Sequence, residues 1–305
     1  MQRYYSLNKY FRERFKCKVY KVSVDAGFSC PNRDGTLSTK GCIFCDNSAF
    51  SFFKREKGLP PLKEQIKIGM EFGRRKYKAQ KFFVYFQSYT NTYAPLNILR
   101  ERYMVIKEFE DVVGLSIGTR PDCIDKEKLD LINSFTPDYE VWIELGLQSI
   151  HDKTLKLINR NHTFLDFLKS VELIRKYKEI KICAHVILGL PHESKKDMLE
   201  TAKKISELNL DGVKIHILHV IKGTDLEKIY NRGEYTPLKL EEYVDIVCDF
   251  LEILPPKLVI QRLTADCSPD KLVAPVWILN KNKVLKEIES ELERRDSFQG
   301  KFYGK

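Results

Sequence analysis

The chain has 305 residues, 43% of them hydrophobic and 31% charged, a balance that suits a folded globular protein and excludes a disordered or collagen-like one. Lys and Arg outnumber Asp and Glu by 52 to 42, a formal charge of +10, which favours anionic partners but says nothing about fold. No stretch nears the roughly 18 uninterrupted apolar residues of a spanning helix, and the start, MQRYYSLNKYFRERFKCK, has no apolar leader core, so a cytoplasmic protein with no membrane contact is expected.

Residues 1–26 form a basic, aromatic segment that ends in a first strand at 19–24. Arg12, Arg14, Lys16 and Lys18 are interleaved with Tyr10, Phe11, Phe15 and Tyr20. Basic groups bind phosphates and aromatic rings stack on unpaired bases, so these four are candidates for nucleic-acid contact. The alternative is a solvated charged face. Arg74 and Arg75 close a helical pattern at 62–75, either as a second basic contact or as complements to the helix dipole.

Further strands are expected at 82–86, 112–117, 141–147, 182–188 and 213–218, each a short run rich in β-branched or aromatic residues. Helical spacing separates them at 95–107, 126–133, 164–177 and 195–208. Such alternation reads as βαβ units on a parallel sheet. Six strands are too few for a closed eight-stranded barrel, which leaves a partial barrel or an open doubly wound sheet. The segment 27–235 makes one core. Residues 236–305 form an extension with a helix at 238–254, a short strand at 258–260 and a charged helix from 282. Active sites in parallel α/β folds gather at the carboxyl ends of the strands.

Eight cysteines in a reducing compartment point to metal or catalytic roles before disulfides. Cys30, Cys42 and Cys45 fall in a Gly- and Asn-rich loop just after the first strand. Thiolates bind zinc or iron–sulfur clusters. Structural zinc usually takes four ligands as two close pairs, and no second C-x2-C is present. Spacing alone leaves a cluster with one open iron, zinc in an RNA-binding protein, or unrelated cysteines. Cys17, Cys123, Cys183 and Cys248 read as small buried hydrophobes, while Cys267, in TADCSP, stands as a catalytic candidate.

The blocks VSVDAGFSCPNRDGT and GCIFCDN, followed in order by FQSYTNTY, GTRPD, ELGLQS, NRNH, ILGLPHE, HILHVIKGT and APVW, resemble the YhcC/YtqA-like group of the radical S-adenosylmethionine (SAM) family. That group is related to the Elongator catalytic-subunit and coproporphyrinogen-oxidase-type enzymes. The resemblance implies an α/β fold, a partial (β/α)6 barrel of the TIM type, with a [4Fe–4S] cluster on Cys30, Cys42 and Cys45. It implies SAM as the second cofactor and flavodoxin or ferredoxin as electron donor. It also implies tRNA as the partner, with the C5 side chain of the wobble uridine remodelled by shortening a carboxymethylaminomethyl group. A small metabolite or porphyrin-like substrate is the alternative.

The same resemblance suggests residue roles. Phe44, Ile187, Gly189 and Leu218 would lie by the adenine. Gln148 would meet the ribose and Arg160 the SAM carboxylate, a task suited to a planar guanidinium fork. Gln87 or Ser88 would contact the SAM amino group, although the family's usual glycines are missing there. Glu144 alternates with apolar neighbours and would point inward with Gln148. His185 is a cofactor contact, a proton carrier or a core histidine.

Overall fold

The computed structural model describes every residue except 1, 50, 54, 56, 57 and 305. Its main sheet is wholly parallel. It contains β1 (Val19–Val24), β2 (Lys81–Phe86), β3 (Val112–Thr119), β4 (Glu140–Gln148), β5 (Ile180–Leu188), β6 (Gly212–Ile217) and, last in order, β8 (Val259–Arg262). A small antiparallel pair, β7 (Val220–Ile221) with β9 (Leu272–Ala274), lies apart from it. The helices α2 (Leu62–Tyr77), α3 (Leu96–Met104), α4 (Lys126–Asn133), α6 (Phe164–Ile174) and α7 (Lys195–Glu207) fall between successive strands.

Parallel strands buried on both faces need apolar residues toward the helices. Val22, Val84, Ile117, Ile143, Ile182, Val186 and Ile215 take that face and join one large core with the helices. The other face is different. The register sets Lys21, Tyr85, Ser116, Glu144, Cys183 and His185 on it, with Lys214 beside His185. Lys21 on β1 donates to Gln261 on β8 over 3.1 Å. The two edge strands therefore meet across an interior, and the sheet is curled into a partial barrel.

Six strands were expected in the barrel, and the structure has seven. The short run at 258–260 is not an outlying strand: β8 pairs in parallel with β6, Gly212 opposite Val259. The helix before it, α9 (Leu240–Ile253), packs against α7 and against α10 (Lys281–Arg294). The extension thus supplies part of the barrel wall.

The amino-terminal segment also differs from expectation. It forms α1 (Leu7–Phe15), capped by the Ser6 side chain, which accepts from Lys9 N. Phe11 is buried, its ring 4.7 Å from that of Phe83, and Tyr10 meets Trp142 edge-on at 5.8 Å. Val19, Cys183 and Val259 complete this cluster. Before α1, Tyr5 O accepts from Ile260 N at 2.8 Å. The aromatic side thus plugs the barrel at the amino ends of its strands. Gly114 keeps Phe83 in place, since a Cβ there would fall 2.2 Å from the ring.

The basic residues expected to contact nucleic acid lie away from the cysteine loop. Arg12, Arg14, Lys16 and Lys18 precede β1 and so lie at the opposite end of the strands from the cysteine loop, which follows β1. Arg14 pairs with Glu140 at 3.1 Å. Arg74 and Arg75 end α2, also before a strand, and Arg74 pairs with Asp111 at 2.8 Å. Tyr10, Phe11 and Phe15 belong to the floor of the fold, while Tyr20 packs on Phe72 and Tyr77 of α2.

Replacing Phe11 by Ala removes the centre of this plug. Large-to-small changes of a buried Phe cost about 3–5 kcal/mol, so Phe11→Ala should lower the urea midpoint sharply. An unchanged midpoint would show that α1 is not part of the folded core.

Candidate functional site

One cavity opens at the carboxyl ends of the strands and reaches down the barrel interior. Its upper wall is the cysteine loop. Cys30 starts a turn in which its carbonyl accepts from Arg33 N at 2.8 Å, and Cys42 O accepts from Cys45 N at 3.0 Å. The loop is docked on the segment after α5 (Asp152–Leu157). Asn159 donates to Gly41 O at 2.6 Å, and Asn32 donates to Asn159 O at 2.7 Å. Asn161 donates to the Asn32 side chain at 2.5 Å. Asn159 and Asn161 both have φ of 54°, a conformation asparagine tolerates better than most residues.

Cys30, Cys42 and Cys45 all line the cavity. Among the described residues, the one trio of potential metal ligands with every ligand atom within 4.8 Å of the others is His151, Asp197 and Glu200. A single tetrahedral zinc, with Zn–S near 2.3 Å, would hold its sulfurs about 3.8 Å apart. A four-iron cluster sets each thiolate on a separate iron. Three thiolates on one wall of the cavity are a donor set that a four-iron cluster takes.

Arg160 lies beside this loop. Its guanidinium donates to Gly146 O at 2.9 Å and approaches Cys42 Sγ at 3.7 Å. Gly146 has to be glycine, because a Cβ would sit 2.5 Å from Arg160 Nη2. Arg160 Nε–H donates to His162 Nε2 at 2.8 Å. That bond needs a neutral ring, and burial, then Arg160 and Arg120, push the His162 imidazole down to about 3. Arg120, itself buried, donates to Arg160 O at 2.9 Å and to Asp122. Thr163 then caps α6 in a capping box with Asp166.

Deeper in the barrel, Glu144 is fully buried. Lys21 donates to one of its oxygens, and Lys214 and His185 donate to the other, His185 at 2.7 Å. Burial alone would raise this carboxyl, but Lys21 and Lys214, with His185, hold it well below its ordinary value. Burial pulls Lys214 down to about 7 against the attraction of Glu144. Burial and Lys214 push His185 down to about 4. His185 is thus a neutral donor to Glu144.

Of the residues expected at the site, the structure brings Cys30, Cys42, Cys45, Phe44, Gln87, Glu144, Gln148, Arg160, His185, Ile187 and Leu218 to this cavity. Gln148 turns there with φ of 73°. Ser88, Gly189 and Cys267 are not among the lining residues. Ser88 is buried. Gly189 O accepts from Tyr235 on the far side at 2.9 Å. Cys267 packs against the main core, with its thiol pushed up to about 11 by burial and Asp270, and its neighbour Asp266 reaches the cavity instead. Sequence reasoning missed Tyr85, Arg120, His162, Lys214 and Arg262. The NRNH block could have flagged His162. Lys214 had the strand alternation that placed His216 beside it, but no local motif.

With this site described, the matches to known families have a physical basis. The Radical SAM superfamily model matches residues 35–205, and the Radical_SAM C-terminal domain matches 210–294. The chain belongs to the radical SAM superfamily, whose cofactors are a [4Fe–4S] cluster and SAM. Within it, the chain is 43% identical to YtqA of Bacillus subtilis over 304 residues, 99% of this chain and 93% of that one. It is 34% identical over 158 residues to the tRNA uridine(34) acetyltransferase of Methanocaldococcus infernus, covering 50% of this chain and 29% of that one. The solved archaeal Elp3 of Methanocaldococcus infernus, with an N-terminal deletion, shares the fold. Its TM-score is 0.66 at 20% identity, covering 92% of this chain and 64% of that one. No helix among the described residues is long and apolar enough to cross a membrane.

The two depressed histidines set a pH dependence. Each binds a proton in the unfolded chain near its ordinary value of 6.5, but in the folded chain only near 3 for His162 and 4 for His185. Their contribution is therefore intact at pH 7 and is lost as pH falls below 6.5, by up to about 1.4 kcal/mol per unit for each ring. His162→Gln should flatten the fall in melting temperature between pH 6.5 and 4. Parallel curves for the variant and the parent would show that His162 is protonated in the fold.

Proposed function

We propose that this radical SAM enzyme acts on tRNA, shortening a carboxymethylaminomethyl group at C5 of the wobble uridine. The observation that carries the reading is the identity shared with an enzyme named for uridine 34 of tRNA, over half of this chain. The cavity agrees with it: polar side chains line its depth, which suits a polar heterocycle better than an apolar substrate.

Cys30, Cys42 and Cys45 would hold the cluster through their three thiolates. When bound and reduced, the cluster and SAM together supply a 5′-deoxyadenosyl radical that takes hydrogen from the substrate. Arg160, fixed by Gly146 O and neutral His162, meets the SAM carboxylate. Gln148 faces its ribose, and Phe44, Ile187 and Leu218 enclose its adenine. Gln87 is the polar contact left for the amino group, since Ser88 lies outside the cavity. His185 and Glu144 shape the space below as a neutral donor and a paired carboxylate. Reduced flavodoxin or ferredoxin is the electron donor. RNA reaches the cavity at the carboxyl ends of the strands, so the α1 plug plays no part in its entry.

Each of Cys30→Ala, Cys42→Ala and Cys45→Ala should lose most iron and all SAM cleavage after anaerobic reconstitution, while Cys183→Ala keeps its iron. Arg160→Ala should keep the cluster and weaken SAM binding by about tenfold to a hundredfold, the effect of losing a charge-assisted contact. An unchanged dissociation constant would return Arg160 to a structural role. Mass spectrometry of nucleosides from a strain lacking the protein should show the carboxymethylaminomethyl form accumulating in tRNA. An unaltered profile would end the tRNA reading and favour a small-molecule substrate.

A further inference from the structure

On the part of the interior farthest from Arg160, two carboxylates serve four cations. Glu144 is shared by Lys21 and Lys214. Asp266 is shared by Arg262, at 2.7 Å, and Lys281. Lys214 side-chain exposure is 5% and that of Glu144 is 0%, whereas Lys281 is 48% exposed, so the part shielded from water is Glu144 with Lys214 and Lys21. Lys214 Nζ also sits 4.0 Å over the Tyr85 ring. Between Lys214 and the cavity mouth, His216 on β6 lines the same wall. Its ring lies 5.6 Å from that of His185, and burial, then Arg262, His185 and Lys214, hold its imidazole well below its ordinary value.

Buried charge is costly unless it is paired. Lys21 and Lys214 share the one buried carboxylate of Glu144, which leaves room for a further anion to hold Lys214 charged, and an arginine fork adjacent to an ammonium is suited to a planar one. This place is not the one facing the SAM carboxylate. Arg160 lies beside Cys42 after β4, whereas Lys214 and Arg262 belong to β6 and the end of β8. Arg262, Lys214 and Asp266 all line the cavity.

We propose that Arg262 and Lys214, with His216 as a neutral hydrogen-bond donor, form a subsite for a carboxylate carried by the substrate. The inference rests on the reading of this cavity as a radical SAM active site, and it deepens the proposed function by naming the group that is recognised. In a carboxymethylaminomethyl side chain the terminal carboxylate would enter this subsite. That places the adjoining methylene and nitrogen between the subsite and the cysteine end. Substrates lacking the acid would lose the anchor.

The test uses the cluster-loaded protein with SAM bound, so that the SAM carboxylate site is already filled. Thermal-shift titrations at constant ionic strength compare acetate with acetamide. Acetate should raise the melting temperature and acetamide should not. Arg262→Gln should weaken acetate binding by about tenfold or more, and Arg262→Lys should restore part of it. Equal responses to acetate and acetamide, or wild-type acetate affinity in both Arg262→Gln and Lys214→Met, would overturn the subsite. A second arm offers a wobble-uridine stem-loop bearing the carboxymethylaminomethyl group and its carboxamide analogue. Consumption of the acid in preference to the amide supports the subsite. If neither RNA is consumed while acetate still binds selectively, the subsite stands and the tRNA assignment falls.

Discussion

The buried carboxylate of Glu144 is the point on which the barrel depends. A lone carboxylate in that position would be expelled or protonated, because burial without a partner is too costly. Here Lys21 from β1, Lys214 from β6 and His185 from β5 all converge on it. Lys21 then reaches on to Gln261 of β8. One acidic group on β4 thereby ties four other strands across an interior that has no continuous apolar filling. Removing Glu144 would leave Lys21 and Lys214 without their shared partner, a costly loss for a charge as buried as Lys214.

The interior has two characters as a result. At the amino ends of the strands it is filled by rings: Tyr10, Phe11, Phe83 and Trp142. At the carboxyl ends it is polar and open. Above the charged layer, Arg160 is held on three sides by Gly146, His162 and the cysteine loop. The left-handed backbone at Gln148, Asn159 and Asn161 is concentrated in the same region. Strain of this kind persists where surrounding contacts over-determine it. The docking of Asn159 and Asn161 on the cysteine loop provides those contacts.

Much of this was legible in the sequence. Every strand that was expected exists, because buried parallel strands announce themselves as short β-branched and aromatic runs. The cysteine loop was legible because its ligands are local. The packing of the N-terminal rings was not legible for a physical reason. Charges interleaved with rings look the same whether the rings meet bases or a barrel floor, and only the fold decides which. The heptad-like positions of Leu7, Tyr10 and Phe11 did contain the helix. The pairing of Glu144 with Lys21 and Lys214, 123 and 70 residues away, has no local trace. Nor does the closing of the sheet by β8, a four-residue strand that reads as an isolated fragment until β6 is beside it.

The arrangement at the floor also orders events during synthesis. Helix α1 leaves the ribosome long before β8, yet its resting place includes Val259, and Tyr5 accepts a bond from Ile260. Tyr5 N in turn donates to the side chain of Gln299. Chains fold from the amino end as they emerge, at about 5–20 residues per second. For tens of seconds, then, Tyr10, Phe11 and Phe15 have only part of their partners, and the oily side of α1 stays uncovered. The aromatic side of α1 is covered fully only once β8 arrives to shut the bottom of the barrel.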